Sequence, residues 1–386
     1  MNKINLIPLS IPNIGGNEWK YVKDCLDTGW ISSSGKYVNK FEDLICNYTG
    51  SNYAVACING TAGLQISLQL AGVSNKDIVI APNLTFVATL NAISYVGAEI
   101  TLIDVCEDSW QMDVDLLQNW LEKNTTTTLV NEKPTTAEIN SGKKIAAIMP
   151  VYVLGGFTDI DRLLEISSKY GIPLVEDSTE ALGSFKNRKH AGTFGITGVL
   201  SFNGNKIIST GGGGMILTDD KEIANRAKHI TTTAKTDPSD YFHDEVGYNY
   251  RLVNVLAAIG VAQMENFESI LKRKKEIDAL YRSELHGIGD IKFQENYPCS
   301  DPNCWLFTFR TKKMRKLLNH LNNKKIQSRA FWTPMIKLPM YKHLRYISDN
   351  DVSNKIFSEC ISIPSSSNLL IEDQQKVIKE IKSFYK

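Results

Sequence analysis

The sequence predicts an α/β protein, with a mostly parallel sheet covered on both faces by helices and a smaller α+β domain after it. Three observations lead there. Short runs rich in Ile, Val and Ala alternate with helix-period segments over the first 250 residues. Those runs are apolar at successive positions, as in strands buried on both faces. At 386 residues the chain also exceeds what one hydrophobic core usually holds. The expected division is a large domain over 1–250 and a small C-terminal domain over 251–386.

The elements follow in order. "NEWKYVKDCLDTG" sets Trp19, Val22 and Leu26 on one helical face, with Asn17 as cap and Gly29 past the end. "YAVACI" reads as a strand and "TAGLQISLQLAGV" as the helix after it; "DIVIAP" and "TFVATLNAISYVG" repeat the pair. "EITLIDV", "KIAAIMPVYV", "IPLVED" and "GVLSFN" continue as short strands, and "GMILTD" as another. The stretch "EKNTTTTLVNEKPTTAEINSGKK" is polar and without periodicity, which predicts an exposed insertion. "NVLAAIGVAQMENFESILKRKKEIDALYRSEL" predicts one long helix, with "IKFQE" and "WLFTFRT" as strands of the smaller domain.

Composition excludes several classes. A net charge of +1 argues against nucleic-acid binding, which normally needs a basic surplus. The N-terminal "MNKINLIPLSIPNIGGNEW" has no long apolar stretch and is broken by Pro8 and Pro12. Neither a secretory leader nor a membrane span is therefore expected, and a cytoplasmic location is. The seven cysteines are scattered, and the spacing of Cys299 and Cys304 does not suit a zinc knuckle. The six histidines all lie beyond residue 189 and show no ligand spacing, so no metal is expected.

Ligands of open parallel sheets sit beyond the carboxyl ends of the strands. Three stretches put polar groups there. "NGTAG", Asn59 to Gly63, joins a strand to a helix with small residues, which leaves helix N-terminal amides open for a phosphate. An ordinary helix cap by Asn59 or Thr61 explains the same residues. In "LVEDSTEALGS", Asp177 closes an apolar strand, so its carboxylate needs a cationic or hydrogen-bonding partner. In "SFNGNKIISTGGGGMILTDD", Lys206 lies near the end of a buried strand, where partial desolvation favours a neutral amine able to form a Schiff base; taken alone, a solvated lysine before a flexible turn explains it better. The glycines after it would keep the backbone thin beside a flat ligand. Together the three make the set that pyridoxal phosphate requires: an amine for the aldehyde, an acid for the ring nitrogen, and a cradle for the phosphate. Phe86 would then stack on the ring.

These stretches resemble the DegT/DnrJ/EryC1/StrS sugar-nucleotide aminotransferases, which have the aspartate-aminotransferase type fold (fold type I of the pyridoxal-phosphate enzymes). The resemblance runs from "PNIGGNEWKYVKDCLDTGWISSSGKYVNKFE" to "SRAFWTPM" and "CISIPSS", with "VEDSTEALGS", "SFNGNK…TGGGGMI" and "GYNYRLVNVLAAIGVAQME" between. It implies that Lys206 carries the cofactor aldehyde and that Asp177 pairs with the ring nitrogen. Glu180 is implied beside the ring hydroxyl. Ser201 and the backbone of Thr61 and Ala62 are implied at the phosphate. Asn249 would reach the phosphate site of a neighbouring subunit, making the active unit a homodimer with shared sites. Trp30, in a loop near the mouth, and Arg251 are implied as substrate contacts. Tyr152 and Ile336 stand where many relatives have histidine.

The substrates implied are L-glutamate and a ketosugar nucleotide. "SFNGNKIISTGGGGM" and "SIPNIGGNEW" look most like the subgroup that aminates C4 of a UDP-linked 4-keto-6-deoxy-N-acetylhexosamine, on the way to bacillosamine or legionaminic acid. The alternatives are a GDP-linked 4-ketosugar of the perosamine type, a 3-ketosugar, or a cofactor-binding homologue without turnover. Lys206 itself argues against the related 3-dehydrases, which have His at that position.

Overall fold

The apolar strands bury both sides because alternate residues face different helices. In strand β1 (Tyr53–Cys57), Val55 and Cys57 pack into one core, while Ala54 and Ala56 pack into another across the sheet. The computed structural model describes residues 6–237 and 239–386. Its main sheet continues with β2 (Ile78–Pro82), β3 (Glu99–Ile103), β4 (Ile145–Ile148), β5 (Val175–Asp177), β6 (Thr197–Ser201) and β7 (Gly214–Thr218). An edge strand, β8 (Arg345–Ile347), comes from far down the chain and pairs in parallel with β3.

The spatial order is β1–β7–β6–β5–β4–β2–β3–β8, with β5 and β4 joined through the bridges Ile148–Leu174 and Val151–Asp177. Only β7 runs antiparallel to its neighbours. Its first residue therefore lies at the same sheet edge as the last residues of the parallel strands.

Helices α3 (Gly60–Leu70) and α4 (Ala88–Tyr95) pack on one face of the sheet. Helix α2 (Lys36–Thr49) covers β1, β6 and β7 on the other. Helices α5 (Val114–Asn124) and α6 (Ile160–Tyr170) cover β2 and β4 there. A separate antiparallel sheet takes the order Lys292–Phe293, Phe307–Arg310, Cys360–Ile363, Arg329–Ala330, and packs with its own helices around Phe307, Phe309, Ile361 and Ile363. The chain is thus mixed α/β with a mostly parallel main sheet, as the apolar runs predict.

Five local expectations are corrected. Helix α1 (Glu18–Thr28) ends at Gly29 with φ of 75°, as expected, but Trp19 and Leu26 are 78% and 61% exposed. Its inward residues are Glu18 and Cys25, which meet Gln263 and Asn254 on helix α8 (Asn254–Glu265). Asn17 does not cap α1 through its side chain; its amide donates to Glu265 instead. The long helical pattern breaks at Asn266, where φ of −105° and ψ of 4° separate α8 from helix α9 (Phe267–Leu285).

The threonine-rich insertion is an ordered hairpin, Thr125–Val130 against Lys133–Glu138. Asn131 and Glu132 both take positive φ in its two-residue turn, and Thr is β-branched, so the segment favours extended backbone. Lys206 does not end a strand. It lies in the turn after β6, where its amide donates to the Asn203 carbonyl at 2.9 Å.

Candidate active site

The carboxyl ends of β1, β2, β4, β5 and β6 open onto one cavity of about 450 Å³, whose far wall comes from Trp305, Arg329 and Trp332, in and beside the separate antiparallel sheet. After β1 the chain turns at Asn59 into α3. Asn59 is extended, and its Oδ1 accepts from the Ala62 amide at 2.8 Å, which makes it the helix cap. Ala62 is buried with its N–H engaged. Gly60 and Thr61 line the cavity, and helix geometry leaves their amides without an intrahelical carbonyl. A side chain at Gly60 would meet Thr179 and the Ser201 side chain at 3.0 and 3.1 Å, so the turn sits hard against β6. Ser201 lines the cavity directly below it.

Asp177 lies at the floor and is buried. Its Oδ2 accepts from Thr89 Oγ1 at 2.7 Å, and its Oδ1 accepts from the Thr179 amide and hydroxyl at 3.2 and 2.8 Å. Three donors fix the carboxylate and still leave it acceptor capacity toward the cavity. On the opposite face of β5, Glu176 accepts from the Gly192 and Phe194 amides and from the Tyr152 hydroxyl. Tyr152 is therefore core, and Ile336, packed beside Asn83, also stays out of the cavity.

Lys206 reaches into the cavity from its turn with a side chain only 12% exposed. Its Nζ lies 3.6 Å from Glu180 Oε1 and 4.2 Å from the centre of the Trp305 ring. Burial raises the Glu180 carboxyl to about 7, against the opposing charge of Lys206 and the Leu154 amide that donates to Oε2 at 2.9 Å. Of the four glycines that follow, Gly212 and Gly213 line the cavity. Gly214 has a different role: a Cβ there would come within 2.6 Å of the Asn59 backbone, so β7 and the α3 turn can touch only through glycine.

The cavity thus gathers Thr61, Phe86, Asp177, Glu180, Ser201 and Lys206, as expected. Four others lie outside it: Ala62, buried behind the turn, and three more. Trp30 flanks a separate shallow hollow with Asp24 and Lys36, Arg251 bridges to Cys57, and Asn249 is exposed. Sequence reasoning missed Trp305, Trp332 and Arg329, which enter from beside the separate antiparallel sheet. Arg329 and Trp332 both lie within "SRAFWTPM", and their place in a stretch that carries the resemblance was the available signal. Away from the cavity, His229 does meet carboxylates, with Nε2 2.7 Å from Asp244 Oδ1, but Arg226 already pairs with Glu245 beside it. Among the described residues no helix is long and apolar enough to cross a membrane.

Comparison with known proteins agrees with this geometry. The model of the DegT/DnrJ/EryC1/StrS aminotransferase family matches residues 12–382. The chain is 32% identical over 382 residues to the GDP-perosamine synthase of Escherichia coli O157:H7, covering 98% of each protein. It is 33% identical over 385 residues to the GDP-perosamine synthase of Vibrio cholerae, covering 98% of this chain and 99% of that one. A crystal structure of a DegT DnrJ EryC1 StrS aminotransferase from Brucella abortus superposes with a TM-score of 0.87 at 25% identity, over 96% of this chain and 95% of that one. With the family model spanning nearly its whole length, the chain belongs to the DegT/DnrJ/EryC1/StrS family and is a pyridoxal-phosphate-dependent sugar aminotransferase of fold type I.

Proposed function

We propose that the protein moves the amino group of L-glutamate to C4 of a nucleotide-linked 4-keto-6-deoxyhexose. The observation that carries this reading is the convergence of the Lys206 amine, the Asp177 carboxylate and the open first turn of α3 on a single cavity. The donor set fits pyridoxal phosphate, and Gly60 keeps a side chain out of the cradle beside Ser201 where the phosphate would lie. Bound there, the cofactor supplies an aldehyde and an electron-withdrawing ring.

Lys206 is the amine for that aldehyde and, when free, the base that takes the proton from the donor's Cα. Asp177 is assigned to the ring nitrogen. The Gly60 and Thr61 amides and the Ser201 hydroxyl are assigned to the phosphate. Glu180 is assigned to the ring hydroxyl and Phe86 to the ring face. Arg329, exposed at the cavity wall, replaces Arg251 as the cation for a donor carboxylate.

Asn249 is assigned to the corresponding site of a second copy. The loop leading to it exposes Tyr241, Phe242 and Val246 by 90%, 64% and 86%, an apolar surface that supports a homodimer. Trp30 keeps a place only at the mouth of such a shared site.

Two relatives named GDP-perosamine synthase favour a GDP-linked 4-ketosugar over the UDP-linked N-acetyl sugar that the motif resemblance points to. A screen of both nucleotide ketosugars with glutamate, following 2-oxoglutarate release, tests the reading. Turnover with the GDP-linked sugar supports it, and turnover only with the UDP-linked sugar reverses the choice of nucleotide. No 2-oxoglutarate with any ketosugar contradicts aminotransfer itself.

A further inference from the structure

The Lys206 ammonium has an aromatic neighbour that the reaction as described does not use. Trp305 presents its ring to Nζ at 4.2 Å and is 3% exposed. It is held from three directions. Its indole N–H donates to the Asn205 carbonyl at 2.7 Å, next to Lys206 in the chain. Its amide donates to Asn303 Oδ1 at 3.0 Å, and its carbonyl accepts from the buried Lys274 amine. The same Asn303 side chain donates to the carbonyls of Glu180 and Leu182 at 2.7 and 2.9 Å. One buried amide therefore anchors the backbone of both residues whose side chains flank the lysine amine, Glu180 and Trp305.

We propose that the Trp305 face is the seat of Lys206 once its free amine has taken up a proton. The proposal rests on the reading of Lys206 as the aldehyde-holding amine. A lysine side chain turns about four bonds, and once released it has many places to go. An indole face attracts a cation without bonding it to a counter-ion, so the amine is retained yet free to leave. Trp305 is then a positioning residue that acts through Lys206, shared between the turn after β6 and the smaller domain.

Competitive acetylation of the apoprotein near neutral pH, read lysine by lysine in digested peptides by mass spectrometry, tests this. Only the unprotonated amine reacts, so loss of the ring that favours the ammonium should raise labelling at Lys206. We expect roughly a fivefold rise in Trp305→Leu, and a smaller rise in Trp305→Phe, whose ring holds a cation less well. Lysines distant from the cavity serve as internal references, and an unchanged circular dichroism spectrum confirms the fold. If the Leu variant does not fold, the comparison of Phe with wild type still decides. Lys206 labelling that is equal in all folded proteins overturns the proposal. Protection of wild-type Lys206 on adding pyridoxal phosphate is scored separately, and its absence would count against the functional reading and not against the seat.

Discussion

Glu180 Oε1 and Lys206 Nζ stand 3.6 Å apart inside the cavity, one from the segment after β5 and the other from the turn after β6. They are close enough to interact strongly, and burial holds the Glu180 carboxyl near neutral pH rather than in its usual range. A titratable group of that kind beside an amine belongs to a site that moves protons.

The sign of its pH dependence follows from linkage. Glu180 titrates at about 7 when folded and near 4.5 when unfolded, so between these values the folded state holds the extra proton. Stability of the apoprotein therefore falls as pH rises through that window and is flat above it. Glu180→Gln removes this slope. The melting temperature of the variant minus that of wild type should climb from pH 4.5 to 7 and then stay level. Buried His190, held at about 4, acts with the opposite sign between 6.5 and 4, but it is common to both proteins and cancels. A difference independent of pH contradicts the assignment.

Lys206→Ala should remove aminotransfer, with a fall on the order of 10²–10⁴-fold or more, since it deletes both the aldehyde-holding amine and the base. Pyridoxal phosphate should still bind through the α3 turn and Asp177, measured by equilibrium dialysis. Wild-type turnover in this variant contradicts the reading.

At Asp177 two variants should rank. Asp177→Asn keeps the shape but removes the charge opposite the ring nitrogen, and kcat should fall by orders of magnitude. Thr89→Val leaves the charge and removes one charge-assisted hydrogen bond, a change of about 1.5–3 kcal/mol for such a bond. Its kcat should fall by roughly 10- to 100-fold, given a tenfold change per about 1.4 kcal/mol, and by less than in Asp177→Asn. Equal activities in the two would mean that the charge at 177 is idle.

Two neighbouring glycines should separate stability from binding. Gly214→Ala places a Cβ 2.6 Å from the Asn59 backbone and should destabilise the fold by about 1–3 kcal/mol. Gly212 has open space around its absent Cβ, so Gly212→Ala should melt like wild type while weakening cofactor binding from the cavity wall. Chemical denaturation and cofactor titration of the pair read the two effects apart.

Arg329→Gln should raise the KM for glutamate about tenfold or more while leaving the cofactor in place, because it removes a cation at the cavity wall. An unchanged KM returns the carboxylate contact to another residue.

The main sheet was legible because its strands carry their signal locally. Each is a short Ile- and Val-rich run, and Asp177 and Asn59 stand at the ends of such runs. Lys206 was legible as a residue but not as a position, since a turn of Asn and Gly after an apolar run looks much like a strand end. The exposed face of α1 shows another limit. Periodicity places Trp19, Val22 and Leu26 on one side, but it does not say whether that side meets core or solvent. The break at Asn266 turns on a single residue inside an otherwise regular pattern, and the hairpin of Thr125–Glu138 gains its order from cross-strand pairing that no local period reveals. Trp305 and Arg329 reach the cavity, and Asn303 the Glu180 backbone, only because two sheets meet, and long-range contact of that kind leaves no local signature.

Borohydride reduction of the pyridoxal-phosphate-loaded protein, followed by peptide mass spectrometry, tests the central claim most directly. The account predicts a single phosphopyridoxyl adduct, carried by the peptide containing Lys206 and lost in Lys206→Ala. An adduct on a different lysine, or none at all in a protein that binds the cofactor, would contradict it.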